Sequence, residues 1–170
     1  MQWTQSLLIP FVATLTFAQP LSSPAKTETA IDGKKISIAY SSPSIRGRKI
    51  MGGLVPYGAV WRTGADNATT FRTDADVVFG DNGLKVPKGT YTIYTLPGAN
   101  EWQLIINKQT GQWGTEYSQR QDLGRVKMNV VQTPSPVEKL KIELSSTGPK
   151  KGLLKMTWDR TEVSIPITIQ

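Results

Sequence analysis

The side chains that could do chemistry in this 170-residue chain concentrate between Ser41 and Thr70, in SSPSIRGRKIMGGLVPYGAVWRTGADNATT. Arg46, Arg48 and Lys49 surround Gly47. A guanidinium is a planar fork for a carboxylate or phosphate, and a neighbouring glycine lets an anion approach the backbone. Trp61 beside Arg62 is the composition of a ligand platform or a cation–π stack, and equally of an aromatic plug at the end of a β-structure. Tyr57 adds a second aromatic with a polar tip. Thr63, Asp66, Asn67 and Thr69 supply hydroxyl, carboxylate and amide groups within seven residues. Together Arg46, Arg48, Tyr57, Trp61, Arg62, Thr63, Asp66, Asn67 and Thr69 form the candidate ligand-binding set. The bland reading of the same residues is a solvated basic loop whose arginines pair with acids from elsewhere. Asp66 and Asn67 do not have the spacing of an EF-hand loop, so the set calls for no metal.

What the chain lacks narrows the chemistry further. It contains no histidine and no cysteine. That removes the commonest general base, the commonest zinc ligand, every Ser/His or Cys/His nucleophile, and any disulfide framework. No catalytic residue is assigned and no cofactor is expected. Asp74 and Asp76 read as turn formers. Glu116 and Asp122 lie with Trp113 and Tyr117 in a polar connection, Gln109 to Leu123, that could meet the basic stretch across one end of the fold. The formal net charge is +7, and no acid falls between Asp32 and Asp66, where Lys34, Lys35, Arg46, Arg48, Lys49 and Arg62 all lie. Such a local cationic surface favours an anionic small molecule or a glycan as partner. No nucleic-acid-binding motif accompanies the charge. Nothing in the sequence sets the oligomeric state.

The elements that must position these groups alternate with period two and are punctuated by turn formers. Lys34–Tyr40 puts Ile36, Ile38 and Tyr40 on one face. Thr70–Thr73, Asp76–Phe79 and Leu84–Val86 are short strands, the last two joined through Asp81-Asn82-Gly83, a hairpin signal. Thr90–Leu96 and Glu101–Lys108 form a hairpin closed at Pro97-Gly98. Gly124–Val131 and Glu138–Ser145 read as two strands separated at Pro134 and Pro136. Leu153–Trp158 and Thr161–Ile169 read as a hairpin about Asp159-Arg160, with Pro166 marking an edge. About nine to ten strands and no convincing helix predict an all-β fold. An antiparallel β-sandwich carrying one long irregular Gly/Arg-rich stretch is expected, with a partly open barrel as the alternative.

Residues 1–18 read as a signal peptide. Ser6–Phe17 is an apolar run of h-region length, too short to span a bilayer, with Thr16 and Ala18 as small residues before a cleavage after Ala18. Met1–Gln5 departs from the usual pattern in having no Lys or Arg. Residues 19–30 read as a polar linker and residues 31–170 as a single domain. The expected location is periplasmic or secreted, with no stable membrane span after cleavage.

Three strings carry a resemblance: YSSPSIRGRKIMGGLVPYGAVWRTGADNATTF (Tyr40 to Phe71), LKVPKGTYTIYTLPG (Leu84 to Gly98) and EWQLIINKQTGQWG (Glu101 to Gly114). With them the chain resembles the DUF2911 family, from about Ile36 to Ile167. The resemblance implies an exported bacterial protein and transfers no reaction. Asp66-Asn67 stands where a pair such as Asn-Glu is more usual in that family. The functional expectation is therefore a non-catalytic module binding an anionic or polar ligand (a carboxylate, a phosphate or a glycan) at an Arg/Trp/Tyr-lined site. The alternatives are a carboxylate- or metal-dependent hydrolase using Asp66 with a partner from the Trp113–Asp122 loop, and a structural envelope-interaction module.

Overall fold

The computed structural model describes residues 22–81 and 83–170, so the apolar run Ser6–Phe17 and the cleavage site at Ala18 lie outside the described residues. Nine strands follow in order: β1 (Ser22–Ile31), β2 (Lys34–Pro43), β3 (Thr70–Thr73), β4 (Val77–Phe79), β5 (Leu84–Val86), β6 (Gly89–Leu96), β7 (Trp102–Asn107), β8 (Asp122–Gly148) and β9 (Lys151–Ile169). A single 3-10 turn, Gln119–Gln121, is the only helical element among the described residues. No described helix is long and apolar enough to cross a membrane.

The fold is all-β, as the alternation predicts, but its hydrogen bonding makes one open antiparallel sheet in the order β1-β2-β3-β6-β7-β8-β9-β4-β5. The reason it is one sheet is the length of β8. Its first residues pair with β7 from Trp102↔Met128 to Asn107↔Asp122. The rest pairs with β9 from Asn129↔Ser164 onward. One strand thus carries the ladder through both halves of the molecule.

Pro134 and Pro136 do not break this strand. The register shifts between Gln132 and Val137, so the prolines fall where the ladder has a gap and no donor is needed. Asp159-Arg160 is likewise no hairpin. β9 runs continuously past it, and Asp159, at φ 53°, absorbs the irregularity opposite Val137.

The expected linker over residues 19–30 is corrected over its described part. Ser22–Ile31 forms β1 and pairs with β2 along its whole length, from Ser22↔Pro43 to Ile31↔Lys34. Asp32 (φ 50°) and Gly33 (φ 70°) make the connecting turn, and an Asp-Gly pair suits two successive positive φ values. β1 escapes a hydrophobicity reading because only its last residue, Ile31, is a fully buried aliphatic; Lys26, Glu28 and Ala30 face solvent.

The core is drawn from nearly every strand. Ile36 and Ile38 of β2, Phe71 of β3, Leu104 and Ile106 of β7, and Leu154 and Met156 of β9 pack into one cluster. The edge of β8 that β9 leaves free is capped from β1 and β2. The Ile142 amide donates to the Tyr40 hydroxyl (3.0 Å) and the Leu144 amide to Thr27 Oγ1 (3.2 Å). Ser42 Oγ donates to the Leu140 carbonyl (2.6 Å). Side chains thus satisfy a buried strand edge that would otherwise expose unpaired backbone groups.

Candidate functional site

Between β2 and β3 the chain makes no strand, yet it is bonded throughout. Arg46 (φ 47°) and Gly47 (φ 71°) turn the chain, with the Ile45 amide on the Glu138 carbonyl (2.8 Å) and the Arg46 amide on Glu138 Oε1 (2.9 Å). Buried Ile50 and Val55 anchor the next turn, where the Val55 amide donates to the Ile50 carbonyl (2.9 Å). A Cβ on Gly53 would stand 2.5 Å from the Lys49 carbonyl oxygen, so glycine is required there. The Gly52–Gly58 run therefore supplies backbone geometry.

Trp61–Thr69 is pinned and strained. Trp61 exchanges backbone hydrogen bonds with Thr95 of β6 (2.8 and 3.0 Å), and the Ala65 amide donates to the Ser41 carbonyl (3.1 Å). Thr63 is fully buried at φ 56°, a conformation that a β-branched residue resists. Its hydroxyl donates to the Trp61 carbonyl (3.2 Å) and lies 3.1 Å from that of Thr95, while Thr69 Oγ1 donates to its carbonyl (2.9 Å). Asp66 also has positive φ, 58°. Strain of this kind persists where surrounding structure over-determines it and often marks a site. Here it turns Trp61, Arg62 and Asp66 into one cleft.

That cleft has a volume of about 610 Å³. Arg48, Trp61, Arg62 and Asp66 of the candidate set line it. The Gln109–Leu123 connection forms a second wall through Gly114, Thr115 and Tyr117, as its aromatics and position suggested. Asn67 bridges Trp113, and the Ala68 amide donates to the Gln112 carbonyl (3.2 Å). Gly114 is what permits the approach: a Cβ there would stand 2.6 Å from Arg62 Cδ and 2.8 Å from the Asp66 carbonyl oxygen. Tyr94, Trp158 and Ser22 also line it, together with apolar Pro43, Leu54, Pro56 and Val60.

Trp61 is both plug and wall. Its ring stacks on Trp158 (5.8 Å between centroids, 15° between planes) and meets Trp102 edge-on (6.2 Å, 89°). Tyr94 and Tyr117 meet edge-to-face at 4.8 Å. Behind them the Tyr117 hydroxyl donates to Asp122 Oδ2 (2.7 Å) and accepts from Arg125 Nη2 (2.7 Å), which also reaches Asp122 (3.0 Å). Buried Asn107 fixes Asp122 through Nδ2 to Oδ1 (2.9 Å). Burial, reinforced by the hydrogen bond to Asp122, pushes the Tyr117 phenol up to about 12. Burial also raises Tyr94.

The charged groups of the cleft form no ion pair with described residues. Arg48 directs Nε to the Ile45 carbonyl (3.1 Å) and Nη2 to the Ser44 carbonyl, which orients the guanidinium without neutralising it. Asp66 Oδ2 accepts from Ser22 Oγ. Among the described residues, neither Arg48, Arg62 nor Asp66 joins an ion pair. On the outer faces, by contrast, Glu28 meets Lys26 and Lys35, and Glu143 meets Lys141 and Lys155.

The other candidate residues lie elsewhere. Thr63 and Thr69 are interior struts of the loop. Tyr57 is 47% exposed, its ring over Gly52. Asn67 faces solvent beside Trp113, and Arg46 is exposed at its turn. Sequence reasoning missed Ser22, Tyr94 and Trp158 as cleft residues. All three come from strands, and only the folded register brings them to the loop. Among the described residues, Asp66 is the only carboxylate lining the cleft, and no group of three or more His, Cys, Asp or Glu able to hold a metal occurs.

Fold and cleft together define, over the described residues, an all-β protein whose antiparallel sheet carries a mixed aromatic and cationic cleft, built by a strained loop. The model of the DUF2911 family, described as a protein of unknown function, matches residues 22–167, and the chain belongs to that family. The match begins at the first residue of β1 and ends within β9. Searches with the chain find no match among curated proteins and none among solved structures.

Proposed function

We propose that the protein is a non-catalytic binding module that takes an anionic small molecule or acidic glycan in this cleft. The observation that carries the reading is the convergence of Arg48 and Arg62, both without an ion-pair partner among the described residues, beside the ring of Trp61. Charge against a partly apolar wall is screened less than on an open surface, so an anion gains more there. Hydrolysis by paired carboxylates is less well supported, because Asp66 has no second carboxylate beside it in the cleft lining and Asp122 is held by Tyr117 and Arg125.

The test is a thermal-shift screen of the purified protein against organic acids, phosphates, acidic sugars and divalent metals, followed by Arg62→Ala. A ligand at a hundred times its Kd should stabilise the protein by about 2.7 kcal/mol. Arg62→Ala should lose that shift with its own melting point little changed. A shift that survives in both Arg48→Ala and Arg62→Ala would sink the proposal. Trp61→Ala serves as a companion variant, expected to lower both stability and binding because Trp61 also stacks on Trp158.

The reading places the protein outside the cytoplasm, in the periplasm or secreted, on the strength of the apolar Ser6–Phe17 run and the small residues Thr16 and Ala18 before the expected cleavage. Intact-mass measurement of the exported protein should give Gln19 as the first residue. Recovery of the uncleaved chain from the cytoplasm would refute this.

A further inference from the structure

We infer that the ligand of the cleft is an acidic saccharide, a sugar ring bearing a carboxylate, and that Asp66 is the residue that selects it. This rests on the binding role proposed above. The cleft lining carries charges of both signs: Arg48, Arg62 and Asp66 all line it. A ligand presenting only negative charge would gain from Arg48 and Arg62 and be repelled by Asp66. Such built-in repulsion is how a site discriminates between ligands of similar attraction. The Asp66 carboxylate accepts one described hydrogen bond, from Ser22 Oγ to Oδ2, and no described residue donates to Oδ1. An ionised carboxylate can only accept, so its complement is a donor next to the ligand's anionic group. Sugar hydroxyls are such donors.

The remaining walls fit the same class. The Trp61 ring is held rigid by its stack on Trp158, and an apolar C–H face of a sugar ring against it removes apolar surface from water. Ser22 and Thr115 add hydroxyls at the margin. The volume of about 610 Å³ admits more than a single ring.

A peptide fits less well. Peptides held by extended main chain add to a free strand edge. The backbone around this cleft is already used: Trp61 with Thr95, Ala65 with Ser41, Asp66 with Gly114 and Ala68 with Gln112.

The experiment measures binding to the purified protein by calorimetry and by tryptophan fluorescence. The probes are a galacturonate oligomer, the neutral galactose oligomer of equal length, inorganic phosphate and a glutamate-containing tripeptide. The galacturonate oligomer should bind tightest and perturb the tryptophan emission, with the neutral oligomer at least about tenfold weaker, as expected for loss of a charge-assisted hydrogen bond. Asp66→Asn should weaken the galacturonate oligomer about tenfold and strengthen phosphate. Asparagine tolerates the positive φ of this position, and the circular dichroism spectrum and melting point verify the fold. Thr115→Val, at an exposed site, should weaken the saccharide and leave phosphate unchanged. Equal or tighter binding of phosphate or the tripeptide by the native protein, failure of the galacturonate oligomer to bind, or indifference of its affinity to Asp66→Asn overturns the saccharide inference. If Arg62→Gln also leaves every probe unaffected, the binding role itself falls; if it abolishes phosphate or peptide binding, that role stands and only the ligand class is wrong.

Discussion

Gly114 shows how much of the site depends on single residues. It lies against Arg62 and the Asp66 backbone, and its amide donates to the Asp66 carbonyl (2.9 Å). Gly114→Ala should cost about 1–3 kcal/mol by forcing these groups apart, and should weaken ligand binding through displacement of Arg62. A melting curve and a titration with the ligand read the two effects separately. Tyr117 gives a pH signature. Its folded phenol titrates near 12 instead of the ordinary 10, so the folded state holds the proton more tightly. That contribution to stability is complete below about pH 10 and is lost as pH rises towards 12. Tyr117→Phe should therefore flatten the alkaline fall in stability within that window. Tyr91 and Tyr94 are also raised, but they are common to both proteins and cancel in the difference. Arg48, Trp61, Arg62 and Asp66 stood out in the sequence because their types are informative wherever they stand, and all four line the cleft. Thr63 and Thr69 belong to the same motif but face inward, and a sequence does not say which side of an irregular loop a hydroxyl occupies.

At the scale of elements, β1 is the sharpest test. It covers β2, accepts the Leu144 amide at Thr27 Oγ1, and brings Ser22 to Asp66. A chain begun at Lys34 should lose cooperative unfolding, whereas one begun at Ser22 should melt like the longer protein; circular dichroism distinguishes them. Retention of a sharp transition without β1 would show that the strand is dispensable. The hairpins β4–β5 and β6–β7 could be read from sequence because turn chemistry and alternation agree there. β1 could not, since its outer face is polar and its inner face is mostly threonine and alanine. The two halves of β8 could not be joined in advance either. Proline removes a donor, and whether a strand ends or merely skips a rung depends on the partner strand.

For the whole molecule, one continuous sheet enclosing one core predicts a single transition. Thermal unfolding followed by far-ultraviolet circular dichroism and by tryptophan fluorescence should coincide, because Trp61, Trp102 and Trp158 sit where the loop, β7 and β9 meet. Trp158→Ala should lower stability by about 3–5 kcal/mol, since the ring is buried and its Nε1 donates to the Glu138 carbonyl (3.2 Å). Two separated transitions would indicate that β8 does not couple the halves as the ladder implies.

The sequence by itself determined the all-β class, most strand positions, the family and the stretch that supplies much of the cleft lining. These follow from local periodicity, turn chemistry and residue types, each readable within a few positions. The absence of His and Cys was equally plain and narrowed the chemistry. Only the tertiary structure decided which residues of the Ser41–Thr70 stretch line the cleft. The cleft is assembled from β1, β6, β9 and the Gln109–Leu123 connection. Long-range pairing sets their meeting with Trp61, Arg62 and Asp66, and Gly114 leaves the space for it.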